Sequence, residues 1–203
     1  MKKTLYLVRH GDVDARPGIF LGTTDVDLDE RGRQQSFWLA EQLAAIPFDR
    51  CFCSPLLRAQ HTATGIITKN PVKIEIHDAL REIHFGLWEG RCFSEIEIEE
   101  PQQAAAWCRN PLSFVFPQGD VVAQFCQRLE TYLEWLKGGE GETILLVTHG
   151  GVIRVLLALL LQLDPQQQFI FQVDRGSVTV VKIFDSSAVL CGLNQRMDGC
   201  YSE

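Results

Sequence analysis

Leu5-Tyr6-Leu7-Val8-Arg9-His10-Gly11 is an apolar run that stops at a histidine and a glycine. Thr143-Ile144-Leu145-Leu146-Val147-Thr148-His149-Gly150-Gly151 ends in the same way. The second run, like the one at 50–54, carries no polar alternation, as expected of strands covered on both faces. Two such strands, each ending at an imidazole, bring two histidines to one edge of a sheet. Arg9 beside the first makes that edge a site for an anion, and phosphate is the natural candidate.

Working outward, β-branched or apolar runs bounded by turn signals predict strands at 4–8, 50–54, 73–77, 143–148, 177–184 and 188–193. Helical patterns fall at 30–46, 55–68, 91–108, 120–137 and 151–162. Alternation of strand and helix implies an α/β fold, a three-layer α/β/α sandwich around a mostly parallel central sheet. The last two strands, joined through Asp185-Ser186-Ser187, read as an edge hairpin. Residues 1–203 read as one domain. The segment at about 85–120, punctuated by Pro and Gly from 101 to 119, reads as an insertion that caps the site.

Composition narrows the class. The chain has 203 residues and a formal net charge of −7, with 46% apolar and 22% charged residues, an ordinary globular balance. A surplus of acid argues against nucleic acid as a partner, because phosphate-backbone affinity is built from Lys and Arg. The longest apolar stretch, Val155 to Leu163, is broken by Gln162 and is about half a membrane span. Lys2-Lys3 and the short run after them fall far short of a signal peptide. Seven cysteines without framework spacing read as reduced thiols in a cytoplasmic protein. Cys51 and Cys53 share a strand face, and no second Cys or His pair stands at zinc spacing, so buried structural thiols are expected and no metal. Monomer and homodimer are equally compatible with this pattern.

Ligands of open α/β sheets bind beyond the carboxyl ends of the strands. His10 and His149 fall there. Strand 50–54 ends at Ser54-Pro55, read as the N-cap and first residue of a helix whose first turn carries Arg58. Helical side chains lean toward the N-terminus, so Arg58 points back over the strand ends. Glu82 follows the strand at 73–77. The helix after Gly150-Gly151 offers free N–H groups and a positive dipole end.

The residue types fit phosphoryl transfer. Neutral imidazole is a good nucleophile. Guanidinium forks suit phosphate oxygens. A carboxyl can protonate a leaving alkoxide and then take the proton of attacking water. A lone histidine at a strand end is more often structural. Four groups at separate strand ends are much harder to reach by chance. His61, His77 and His84 lack such support and read as structural or surface residues, although His84 is near enough to Glu82 to line a pocket. Trp88 and Phe85 read equally as core or substrate wall. Arg16, Arg81 and Arg175 have nothing in the sequence that places them at the site.

Leu7-Val8-Arg9-His10-Gly11, Ser54-Pro55-Leu56-Leu57-Arg58-Ala59-Gln60-His61-Thr62-Ala63, Leu80-Arg81-Glu82 with Phe85-Gly86 and Trp88-Glu89-Gly90, and Val147-Thr148-His149-Gly150-Gly151 resemble the histidine phosphatase superfamily, with its phosphoglycerate mutase-like fold. The resemblance implies a phosphomonoesterase in which His10 is phosphorylated and Glu82 is the proton donor. It implies that Arg9, Arg58, His149 and Gly150 hold the phosphate. It implies no cofactor and a small phosphorylated metabolite as partner. Arg16, Leu21, Gly22, Thr23, His84 and Trp88 are the expected pocket residues. Phe169-Ile170-Phe171-Gln172-Val173-Asp174-Arg175-Gly176-Ser177 and Leu193-Asn194 resemble the α-ribazole phosphatase branch. That branch implies α-ribazole 5′-phosphate, or the cobalamin 5′-phosphate, as substrate. A phosphoglycerate mutase, a sugar-bisphosphate phosphatase and a non-catalytic phosphate-binding module are the alternatives.

Two departures stand out. Asp12-Val13-Asp14-Ala15-Arg16 lacks the Asn with which this family often touches phosphate, and Arg16 is the expected replacement. Gly119-Asp120-Val121 lacks the serine often found there.

Overall fold

A computed structural model describes residues 2–197. Six strands, β1 (Lys3–Arg9), β2 (Arg50–Cys53), β3 (Ile74–Ile76), β4 (Thr143–Thr148), β5 (Val178–Ile183) and β6 (Ala188–Gln195), form one sheet in the order β3-β2-β4-β1-β5-β6. β1, β2, β3 and β4 run parallel, and β5 and β6 add the antiparallel edge hairpin.

Alternation along the strands sorts side chains into two cores, because successive residues point to opposite faces. Leu5, Leu7, Phe52, Ile144 and Leu146 face one side. There they meet α5 (Val122–Gly138) and α6 (Gly150–Leu160). Val8, Cys51, Cys53, Leu145 and Val147 face the other side, against α1 (Glu30–Leu43) and α2 (Leu57–Ile67). Apolar residues on both strand faces thus produce the three layers, and both cysteines of the pair are buried thiols.

Two helix boundaries differ from expectation. Ser54 is not the N-cap of α2. Leu56 occupies that position in extended backbone, and the first free N–H, on Leu57, is taken by Asp25 Oδ1 at 2.8 Å. The helix expected at 91–108 is two, α3 (Phe93–Glu99) and α4 (Pro101–Arg109). Glu100 precedes a proline, which bars it from helical backbone, and it sits at φ −132°, ψ 57°.

Candidate active site

Register delivers the two histidines. Arg9 pairs with Thr148 across the parallel β1–β4 ladder, and His10 N–H donates to the Thr148 carbonyl at 2.9 Å. The imidazole rings of His10 and His149 then lie 5.1 Å apart. β5 runs antiparallel to β1, so the loop leading into it arrives at the same edge. Gly176 N–H donates to the His10 carbonyl at 2.9 Å.

The His10 tautomer follows from its partners. Nδ1 lies 2.8 Å from the Gly11 carbonyl, which can only accept, so Nδ1 carries the proton. Nε2 therefore has a lone pair, and Arg58 Nε donates to it at 3.3 Å. Burial, and after it the neighbouring His149, Arg9 and Arg58, hold the His10 pKa well below the usual range. His10 is a neutral base with a directed Nε2. His149 is pushed down in the same way, by burial first and then by Arg58 and Arg9. Its Nε2 meets the Ser54 hydroxyl at 2.7 Å, while Nδ1 is buried with no hydrogen-bond partner.

Arg58 is fully buried and fixed at every nitrogen. Besides Nε, its Nη1 donates to the Thr24 carbonyl at 2.8 Å and its Nη2 to the Gly22 carbonyl at 2.6 Å. The Gly22–Thr24 loop is in turn gripped by Glu89. That carboxylate accepts from the backbone N–H of Thr23 at 2.8 Å and from the Thr24 hydroxyl at 2.6 Å. Burial opposes its charge, but the bonds from Thr24, Thr23 and Phe85 outweigh it and lower its pKa. Arg9 donates through Nη1 to the Val173 carbonyl at 2.7 Å, and its buried Nε has no partner. Burial, then Arg175, bring its pKa down to about 10, so it stays charged at neutral pH.

Glu82 reaches the same spot from beyond β3. The Leu80 carbonyl nearby accepts from Thr148 Oγ1 at 2.7 Å, which ties this segment to β4. One Glu82 oxygen takes the Gly151 N–H at 2.9 Å, at the N-terminus of α6. Position 151 must be glycine for this approach, because a Cβ would lie 2.5 Å from the carboxylate.

Arg9, His10, Glu82 and Gly150 open into a cavity of about 230 Å³. Beyond its polar floor the walls are aromatic, with Phe20, Phe85, Trp107, Phe116, Phe125 and Phe169 among them. Leu21 lines it, as expected. The other expected pocket residues do not. Arg16 is drawn outward, donating to Glu95 Oε1 and to the Gly90 carbonyl at 2.9 Å each. Trp88 is wholly buried behind the wall, against Phe20, Phe114 and Phe116. His84 is held through its backbone to Asp120, which accepts from its N–H at 3.0 Å, and its ring is not on the cavity surface. Gly22 accepts from Arg58 and Thr23 donates its N–H to Glu89, and neither lines the pocket.

Sequence reasoning missed Arg154, and it could not place Arg175. Both line the cavity. Arg154 lies one turn into α6, where a side chain leans back toward the helix N-terminus, and that signal was available. Its Nε donates to the Phe171 carbonyl at 3.0 Å. No helix among the described residues is long and apolar enough to cross a membrane.

Comparison with known proteins agrees with this geometry. The chain is 34% identical to the adenosylcobalamin/α-ribazole phosphatase of Salmonella typhimurium, over 95% of this chain and 96% of that one. It is 29% identical to phosphoserine phosphatase 1 of Hydrogenobacter thermophilus, over 94% and 91% of the two chains. The crystal structure of the α-ribazole phosphatase from Shigella flexneri superposes with a TM-score of 0.86 at 31% identity, covering 98% of this chain and 99% of that one. The architecture is the expected α/β sandwich, phosphoglycerate mutase-like. A family model matches residues 5–196, and the chain belongs to the histidine phosphatase superfamily (branch 1).

Proposed function

We propose that the protein hydrolyses phosphate monoesters through a phosphohistidine at His10, with α-ribazole 5′-phosphate or the cobalamin 5′-phosphate as its substrate. The observation that carries this reading is the His10 ring itself. Its proton is tied up on Nδ1 and its Nε2 lone pair is buried beside two guanidinium groups and a second imidazole.

His10 Nε2 attacks phosphorus, the P–O ester bond breaks, and a proton passes from the Glu82 carboxyl group to the leaving alkoxide. The Glu82 carboxylate then takes a proton from water, whose oxygen attacks phosphorus and breaks the P–N bond. Arg9 holds phosphoryl oxygens with its forked donors, and Arg58, whose Nε is on His10 and whose Nη1 and Nη2 each give one N–H to a loop carbonyl, offers its charge and the remaining N–H of each Nη. With the Ser54 hydroxyl donating to its Nε2, His149 presents an Nδ1–H that has no other partner, a donor for charge building on those oxygens. Glu82 rests on the N-terminal N–H of α6 and lines the cavity with Arg9 and His10.

The aromatic cavity wall supports the substrate. A benzimidazole base such as that of α-ribazole has flat faces to stack there, whereas a serine leaving group has none. Residues of the 85–120 segment, Phe85, Trp107 and Phe116, contribute to that wall and support its reading as a cap over the leaving group. Free thiols support a cytoplasmic location. Phosphate release measured over a panel of phosphorylated metabolites tests the assignment. α-Ribazole 5′-phosphate should exceed phosphoserine and 3-phosphoglycerate in kcat/KM by well over tenfold. Equal slow turnover of all three would remove the substrate assignment.

A further inference from the structure

Arg175 lines the His10 cavity and also a second, polar cavity of about 420 Å³, and the two spaces share Arg9, Ile19 and Arg175. Arg175 therefore stands at the junction of the two spaces with Arg9. The backbone fixes it there. The next residue, Gly176, donates to the His10 carbonyl. Gly176 sits at φ +66°, and a Cβ at that position would come within 2.6 Å of the Gln35 side chain. Only glycine lets the loop close this tightly.

Gln35 also organises Asp12. The Asp12 N–H donates to Gln35 Oε1 at 2.7 Å, and Gln35 Nε2 donates back to Asp12 Oδ2 at 2.9 Å. Arg31 Nε stands 3.2 Å from that same oxygen. The other oxygen, Oδ1, faces Arg175 Nη1 at 3.7 Å. That contact is too long to use up a donor, so it aims the guanidinium without consuming its fork. Arg175 is only 20% exposed. Its charge acts on both Arg9 and Arg58, lowering the proton affinity of each. Glu82, Asp174 and Asp12 offset part of this repulsion, and an entering anion offsets more of it.

We propose that Arg175 is a third guanidinium on the reacting phosphoryl group, and that Asp12 is the residue that positions it. The assignment rests on the phosphohistidine reading of the site. It supplies from the β5 approach loop the contact that Arg16 was expected to make.

The test is binding of inorganic phosphate to the intact protein, read by titration calorimetry in wild type and variants. Arg175→Ala should weaken phosphate by roughly 10- to 100-fold, the usual effect of losing a hydrogen bond to a charged group. Arg175→Lys keeps the charge without the fork and should recover part of the loss, which a merely structural role would not give. Asp12→Asn should weaken phosphate in the wild-type background and add nothing in Arg175→Ala. Unchanged phosphate affinity in Arg175→Ala, or a Lys variant as weak as Ala, overturns the role of Arg175. Fully additive losses overturn that of Asp12. Phosphate binding requires no turnover. A chain that grips phosphate through Arg175 yet forms no phosphohistidine would defeat the catalytic reading and leave this one standing.

Discussion

The floor and the walls of the cavity are built in different ways. The floor is held by the backbone. His10 is bonded to β4 through its N–H, to Gly11 through its ring and to Gly176 through its carbonyl. Arg58 is held by two loop carbonyls. The walls are held by side chains, with Phe20, Phe85 and Phe116 from turns and loops packed on one another and Trp107 of α4 packed on Phe116. A floor tied to the ladder keeps one geometry for one reaction. A wall of packed rings can be recut for a new leaving group without disturbing the chemistry. The physics thus separates what the site does from what it does it to.

The comparison breaks if the floor tolerates change. His10→Ala should reduce kcat/KM for a good phosphate ester by at least ~10³-fold, as expected when a covalent nucleophile is lost. Steady-state phosphate release at the wild-type rate would contradict this. Glu82→Gln keeps the shape but not the proton, and should cost about 10²-fold or more. The loss should be smaller for p-nitrophenyl phosphate, whose leaving group needs little protonation, and an equal loss would remove Glu82 as the acid.

The buried histidines give a floor prediction that reads pH. Both His10 and His149 are held below the usual range, chiefly by burial. NMR titration of the free protein should find both rings neutral well below pH ~6.5. The unfolded chain binds protons below ~6.5 that the folded chain refuses, so these rings favour folding above that pH and the contribution is lost as pH falls. A titration midpoint near 6.5 for either ring would show that it is not sealed from water.

The walls should divide into support and contact. Trp88 is support, and Trp88→Ala should cost roughly 3–5 kcal/mol of stability through the cavity left behind. Trp107 is contact. Trp107→Leu should raise KM for an aromatic phosphate ester by about 2- to 10-fold while leaving a small aliphatic ester unchanged. Equal changes for both esters would show that the wall does not read the leaving group. Last, Arg16→Ala should leave turnover unchanged, since that side chain is spent on Glu95 and Gly90.

The floor was legible in the sequence because Arg9, His10 and His149 sit at strand ends, Arg58 at a helix start, and Glu82 one short turn beyond β3. The apolar runs before His10 and His149 give strands, and the order of strand and helix brings their ends together. Glu82 and Arg58 follow the same logic. Arg175 escaped, because its place depends on β5 running antiparallel to β1 and on the tight turn at Gly176. Arg16 was misplaced for a related reason. Nearness in sequence to His10 says nothing of a loop whose arginine finds a carboxylate 79 residues away. The walls were the least readable. Trp88 and Trp107 both pack against Phe114 and Phe116, and only depth separates them, since Trp88 is wholly buried and Trp107 meets the cavity.

The site of phosphorylation tests the account most directly. Mixing the enzyme with labelled substrate and quenching in alkali should trap up to one phosphoryl group per chain, stable to base and labile to acid. Mapping should place it on His10, at Nε2, because Nδ1 is committed to the Gly11 carbonyl. Label at Nδ1, label on another residue, or turnover with no trapped phosphoenzyme would contradict the account.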